Sequence, residues 1–179
     1  MQLSRAGAAF IASWEAIYLE AYPDPGTNGE PITIGIGATA ATGLIRPRLG
    51  DIIPLSRALS LFDASMRKYE AAVSAAIKLA LSQAQYDALV SFHYNTGAIH
   101  VGSVDDRLNA GNVSAALSTM ARYTRSGGRV MSGLEDRRRQ EVALFRTGVY
   151  PHRKILIKDR IRSAGRLLDP SQFAWRNGG

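Results

Sequence analysis

Apolar residues recur at helical spacing on both sides of a single interruption, and that interruption constrains the fold more than any other feature of the chain. From about Ser4 to Glu20, residues Phe10, Ile11, Trp14 and Tyr18 lie three or four apart, which predicts an amphipathic helix stopped by Pro23, Pro25 and Gly26. Between Tyr22 and Gly50, turn residues and short β-branched runs take over, and Ile32-Thr33-Ile34-Gly35-Ile36 alternates as a strand does. From Ser56 onward, Leu59, Phe62, Met66, Tyr69, Val73 and Ile77 restore the helical spacing over a span long enough to bridge two lobes. Ser82 with Gln85, and Ser132 with Glu135, have capping-box spacing and predict helix starts. Asn112 is a third candidate cap, Asn95-Thr96-Gly97 and Gly148 are stops, and Ser126-Gly127-Gly128 is a loop. The expected class is α+β and mostly helical: a small β element near the N-terminus (about residues 21–55) and a helical C-terminal lobe, with a groove between lobes as the natural substrate site.

A chain of 179 residues that is 46% hydrophobic can bury its own core. It has no cysteine, which excludes disulfides and thiolate metal sites, and His93, His100 and His152 lack the i, i+4 spacing of a helical metal pair. No metal and no cofactor are expected. The N-terminal apolar stretch is interrupted by Glu15 and Glu20, unlike a leader, and the longest uncharged run falls well short of the roughly 20 apolar residues a membrane span needs. The net charge of +7 points to a polyanionic partner. From Tyr150 to the end there are seven Lys or Arg against two Asp, so residues 1–149 are nearly balanced, which disfavours nucleic acid as partner of the main domain. In this basic extension, residues 150–179, Ile157, Ile161, Ala164 and Leu168 share one side of a potential amphipathic helix over Lys154 to Leu168. Such a helix either docks on the main domain and resists proteolysis, or contacts an anionic wall polymer or outer-membrane lipid.

Cleaving a glycosidic bond takes an acid to protonate the leaving oxygen and, usually, a second carboxylate. Glu15 sits amid Trp14, Ile17 and Tyr18, an apolar setting that favours the neutral acid. Asp24 follows in a proline-glycine turn, where solvent keeps a carboxylate ionised, and Thr33 on the expected strand offers a hydroxyl to hold a water. Helix-end glutamates and turn aspartates are common, so the surrounding residues decide. Glu15, Leu19, Ala21-Tyr22-Pro23-Asp24, Gly26 and Thr33-Ile34-Gly35-Ile36-Gly37 resemble the catalytic segment of the phage-type lysozymes, glycoside hydrolase family 24. Leu81 to Phe92, Tyr94-Asn95, Gly97, Leu108-Asn109-Ala110-Gly111, Gly127-Gly128-Arg129, Gly133-Leu134, Arg137-Arg138 and Phe145-Arg146-Thr147-Gly148 resemble the same family in the same order, over about residues 4–149.

The resemblance implies a lysozyme-like catalytic domain over residues 1–149, with Glu15 as general acid, Asp24 as the carboxylate that positions or activates water and Thr33 as third member of the site. It implies hydrolysis between N-acetylmuramic acid and N-acetylglucosamine of bacterial peptidoglycan, with inversion. Arg137 matches the position whose guanidinium approaches the catalytic glutamate, where its charge would oppose the effect of burial; Asn95 and Thr39 fall near positions lining the sugar groove. Two departures stand out. Three residues around Gly29-Glu30-Pro31 lengthen the Asp-to-Thr interval, and Ala38 stands where a histidine is common. Arg139 is expected on a solvated helix face, with Arg137 and Arg138 inward. A family member of this kind is expected to act as a monomer, waiting in the host cytoplasm until the inner membrane is opened and then acting on the wall. Two other functions fit less well: a lytic transglycosylase, which needs no Asp24 and Thr33, and a wall-binding protein without turnover.

Overall fold

The structure, a computed structural model, describes residues 1–23 and 29–176. It divides into two compact units, one made of Met1–Gly7 with Lys68–Pro151, the other of Ala8–Arg67 with the chain from His152 onward. The divisions fall inside helix α1 (Arg5–Glu15) and inside the long helix α2 (Leu55–Ala76).

The unit built on Ala8–Arg67 holds a four-stranded sheet. Strand β1 (Ile17–Pro23) pairs antiparallel with β2 (Ile32–Gly35), setting Tyr18 opposite Gly35 and Tyr22 opposite Thr33. On its other side β1 pairs parallel with β5 (Ile155–Lys158), with Ile17 opposite Ile157, and β6 (Arg166–Leu168) closes the edge against β5. Strand β2 was legible from its alternation. Residues 17–20 were expected to continue the first helix and instead form a strand: Ile17, Leu19 and Ala21 are buried while Tyr18, Glu20 and Tyr22 are half-exposed. That period of two serves a sheet with partners on both sides, and tertiary pairing outweighs the helical spacing of Trp14 and Tyr18.

The expected helix over Lys154–Leu168 is likewise corrected to two strands. Ile155 and Ile157 are fully buried and Leu156 and Lys158 half-buried, the alternation of β5, and the turn carries Gly165 at φ 79°. Two β-branched residues beside an open edge of β1 gain backbone pairing and burial together, which a helix at that place would forgo. Further contacts hold this segment: Glu20 accepts a hydrogen bond from the Ile161 N–H at 2.8 Å, and the buried Trp175 ring meets Phe62 edge-on at 5.0 Å. Residues 152–176 are therefore part of a folded unit, not a separate helix laid on it.

The other unit is helical: α3 (Gln83–Thr96), α4 (Val104–Asn109), α5 (Val113–Met120), the short hairpin β3 (Arg125–Ser126) and β4 (Arg129–Val130), and α6 (Ser132–Thr147). The Ser82–Gln85 capping box forms with both arms, and Gly97 and Gly148 end α3 and α6 in the left-handed conformation. Asn112 caps α5 by accepting from the Ala115 N–H. The second expected box is corrected: Ser132 is the first helical residue, extended Met131 is the cap, and no side chain closes it. Around α3, Asp87 is wholly buried and accepts from the Ser4 and Tyr150 hydroxyls at 2.5 and 2.6 Å and from Gln83 at 2.8 Å. Burial pushes its carboxyl up, against the pull of these donors.

Candidate active site

Glu15 is the last residue of α1 and is half-buried. Ala16 follows at φ 58° with its N–H on the Ala12 carbonyl at 3.1 Å, closing the last helical turn and turning the chain straight into β1. A non-glycine residue in this conformation costs roughly 1–2 kcal/mol. The unfavourable geometry sits directly beside the candidate acid and sets the point where it leaves the helix. The end of the helix is held further by Arg153, whose Nε donates to the Ser13 carbonyl at 3.0 Å and whose guanidinium lies 4.1 Å from the Trp14 ring centre. Neither Ala16 nor Arg153 was visible as a site residue in the sequence. Glycine or asparagine would have signalled the left-handed turn, and nothing local connects Arg153 to Ser13.

Thr33 lies on β2, is 7% exposed, and donates its hydroxyl hydrogen to the Pro31 carbonyl at 3.2 Å. The hydroxyl oxygen thereby keeps its lone pairs for another donor, such as a water. The Thr-Ile-Gly-Ile-Gly block then reverses: Gly35 and Gly37 take φ of 67° and 70°, and Ile34 and Ala38 exchange backbone hydrogen bonds at 2.9 and 3.0 Å. The two glycines permit this tight reversal, which returns Thr39 to the neighbourhood of the strand that carries Thr33. Thr39 is half-buried, and its carbonyl accepts from the Thr42 hydroxyl at 2.7 Å. Ala38, in place of the family's histidine, is buried with Ala21, Ile34 and Leu61, so this position is apolar packing here. Asp24 lies outside the described residues.

Asn95 and Arg137 belong to the helical unit. Asn95 is exposed near the end of α3 and lines a hollow of about 280 Å³ with Thr96, Tyr123, Arg125 and Leu134. Arg137 and Arg138 are inward, at 3% and 1% exposure, as the resemblance implied, whereas Arg139 is exposed, as expected, and pairs with Asp136 at 3.0 Å. Arg137 donates through Nε to Glu141 at 3.2 Å, Arg138 reaches the same carboxylate at 2.8 and 2.9 Å, and the Ser91 hydroxyl adds a bond at 2.6 Å. Burial pushes the Glu141 carboxyl up, while the two guanidinium charges and Ser91 pull against it. The guanidinium of Arg137 also stands 5.9 Å from the Tyr94 ring, one residue before Asn95. Tyr123 and Arg125, which share the hollow with Asn95, were missed in the sequence. The available signal was the Gly127-Gly128 turn, which folds Arg125 back so that it donates to the Gly128 carbonyl at 3.0 Å.

The family model described as phage lysozyme matches residues 12–141. The endolysin of Bacillus phage PZA is 37% identical over 150 residues, which are 83% of this chain and 56% of that protein. The chain thus spans little more than half the length of its Bacillus phage relatives. The endolysin of Salmonella phage P22 is 33% identical over 147 residues, covering 81% of this chain and 98% of that protein. Among solved structures, an endolysin from Escherichia coli O157:H7 phage FAHEc1 superposes with a TM-score of 0.74 at 34% identity, covering 84% of this chain and 97% of the other. The muramidase domain of SpmX from Asticaccaulis excentricus superposes with a TM-score of 0.70 at 32% identity, covering 82% and 98%.

Proposed function

The chain belongs to the phage lysozyme family, and from that premise we propose that it is an endolysin that hydrolyses the β-1,4 bond between N-acetylmuramic acid and N-acetylglucosamine in bacterial peptidoglycan. The observation that carries the reading is the local frame of Glu15: a half-buried carboxyl at a helix end, fixed by the turn at Ala16, in the same unit as a strand bearing a buried threonine hydroxyl. In this reading Glu15 gives its proton to the leaving glycosidic oxygen. Asp24 takes a proton from water as the water attacks the anomeric carbon from the opposite face, which inverts the configuration. Thr33, whose hydrogen is committed to the Pro31 carbonyl, accepts a hydrogen bond from that water and orients it. Arg137, Asn95 and Thr39 are the supporting and sugar-lining residues, and the extra residues around Gly29-Glu30-Pro31 lengthen the interval between Asp24 and Thr33 in the sequence. The relatives' name, endolysin, supports action on the cell wall; release from a host cytoplasm and action as a monomer belong to the same proposal. Among the described residues no helix is long and apolar enough to cross a membrane.

The test is turnover of purified peptidoglycan by wild type and Glu15→Gln in heavy-oxygen water, with products read by mass spectrometry. Reducing muropeptides carrying solvent oxygen, formed at least about a hundredfold more slowly by the variant, are expected for loss of a general acid. Anhydro-sugar products would replace hydrolysis by a transglycosylase reaction. A folded wild type that binds peptidoglycan without turnover would overturn the enzymatic reading altogether.

A further inference from the structure

A second feature belongs to the helical unit, beside the hollow that Asn95 lines, with which it shares Arg125. The helical unit contains eleven Lys or Arg and seven Asp or Glu, and its whole net charge of +4 falls between Arg122 and Arg146; the remainder is balanced at four against four. The fold gathers this charge into a groove of about 850 Å³. Arg122 and Arg125 stand on one wall, after α5 and on β3; Arg139 and Arg146 stand on the other, seven residues apart along α6. That separation is about 10 Å along the helix axis. All four are exposed, and Arg139 makes a solvent-exposed pair with Asp136 at 3.0 Å that a phosphate would have to compete with. Arg138 also reaches the groove, but its charge is met by the buried Glu141, and Glu135 is the one carboxylate in the lining. The floor is made of small aliphatic groups, Ala121, Val130, Val142 and Ala143.

We propose that this groove binds an anionic polymer of polyol phosphate units, with the four arginines receiving successive phosphodiesters. Arginine forks match phosphate oxygens in pairs, and two facing rows spaced along a helix fit a repeating anion better than a single one. Glu135 is placed to accept hydrogen bonds from polyol hydroxyls, a group that a polyol phosphate has and an isolated phosphate ion lacks. The lining holds no aromatic side chain on which nucleic-acid bases could stack, which disfavours single-stranded nucleic acid. Polymers of this kind are attached to or threaded through cell walls, so the groove would hold the protein at its site of action without touching the glycan chemistry.

The experiment measures binding of a fluorescent poly(glycerol phosphate) oligomer by anisotropy, with no glycan present, in a Glu15→Gln background. Its outcome is therefore independent of whether the chain is a hydrolase. Arg122→Gln, Arg139→Gln and Arg146→Gln together are compared with Lys154→Gln, Arg160→Gln and Arg162→Gln, which remove equal charge from an exposed part of the other unit. The groove triple is expected to weaken binding tenfold or more, and the C-terminal triple less than twofold. If the groove triple lowers the melting temperature, Arg146→Gln alone carries the test, with a loss of about threefold expected. Equal loss in both triples would reduce the effect to net charge and overturn the proposal. So would absence of wild-type binding, or tighter binding of oligothymidylate or of phosphatidylglycerol vesicles than of the polyol phosphate.

Discussion

Ile157→Ala tests whether the C-terminal segment is a structural member of the sheet. Ile157 has no exposure and stands opposite Ile17, itself fully buried, in the parallel β1–β5 pairing. The substitution removes three buried carbons, a transfer loss of about 2.4 kcal/mol at about 0.8 kcal/mol each. A cavity term adds to this and brings the expected cost to about 2–5 kcal/mol. With a urea m-value of about 2 kcal/mol/M, the unfolding midpoint should fall by roughly 1–2.5 M. The chain has two tryptophans, Trp14 and Trp175, and both lie in the unit that contains β5, so tryptophan emission reports the relevant transition directly. Leu167→Ala is the control: Leu167 is 63% exposed on the neighbouring strand, and its loss should cost no more than about 0.5 kcal/mol. The reasoning is refuted if the two variants shift the midpoint equally, or if limited proteolysis trims wild type near residue 150 without changing the tryptophan transition.

Glu141→Ala leaves Arg137 and Arg138 buried without their shared carboxylate, and thermal unfolding should register a loss of about 3–5 kcal/mol; a loss under about 1 kcal/mol would deny the triad its structural role. His93 is held below its ordinary value of 6.5 by burial and by the nearby charge of His100, and its Nδ1 accepts the Ile99 N–H at 3.4 Å, which requires an unprotonated nitrogen. The unfolded chain therefore takes up the proton first. Stability present above pH 6.5 should be lost as pH falls through the lowered folded value, and the urea midpoint of His93→Gln should be flatter over that window. An identical pH dependence in wild type and variant would refute this.

What was legible in the sequence is what neighbours within a helical turn determine. The Ser82–Gln85 box, the Asn112 cap and the glycine stops at Gly97 and Gly148 are satisfied by groups three or four residues away, so their types and spacing sufficed to place them. Thr33 on a strand was readable from local alternation, and the turn of Thr-Ile-Gly-Ile-Gly follows from glycine's freedom at positive φ; Glu15 was read near the end of a helix running to Glu20, and the turn at Ala16 makes it the last helical residue. Ser132 shows the limit, since correct spacing with Glu135 did not make it a cap once the hairpin before it delivered Met131 in extended form. Long-range pairing decided the rest. Residues 17–20 and 155–158 each carry helical spacing of a sort, and each became a strand because the other was available, 140 residues along the chain. A similar distance hid Arg153 behind Trp14; the excess of basic residues between Arg122 and Arg146 stands in the sequence, but only the packed helical unit brings Arg122 and Arg125 into one groove with Arg139 and Arg146. Local hydrogen bonds and steric preferences are written in consecutive residues; partners joined by burial and strand pairing acquire their meaning only when the chain has closed upon itself.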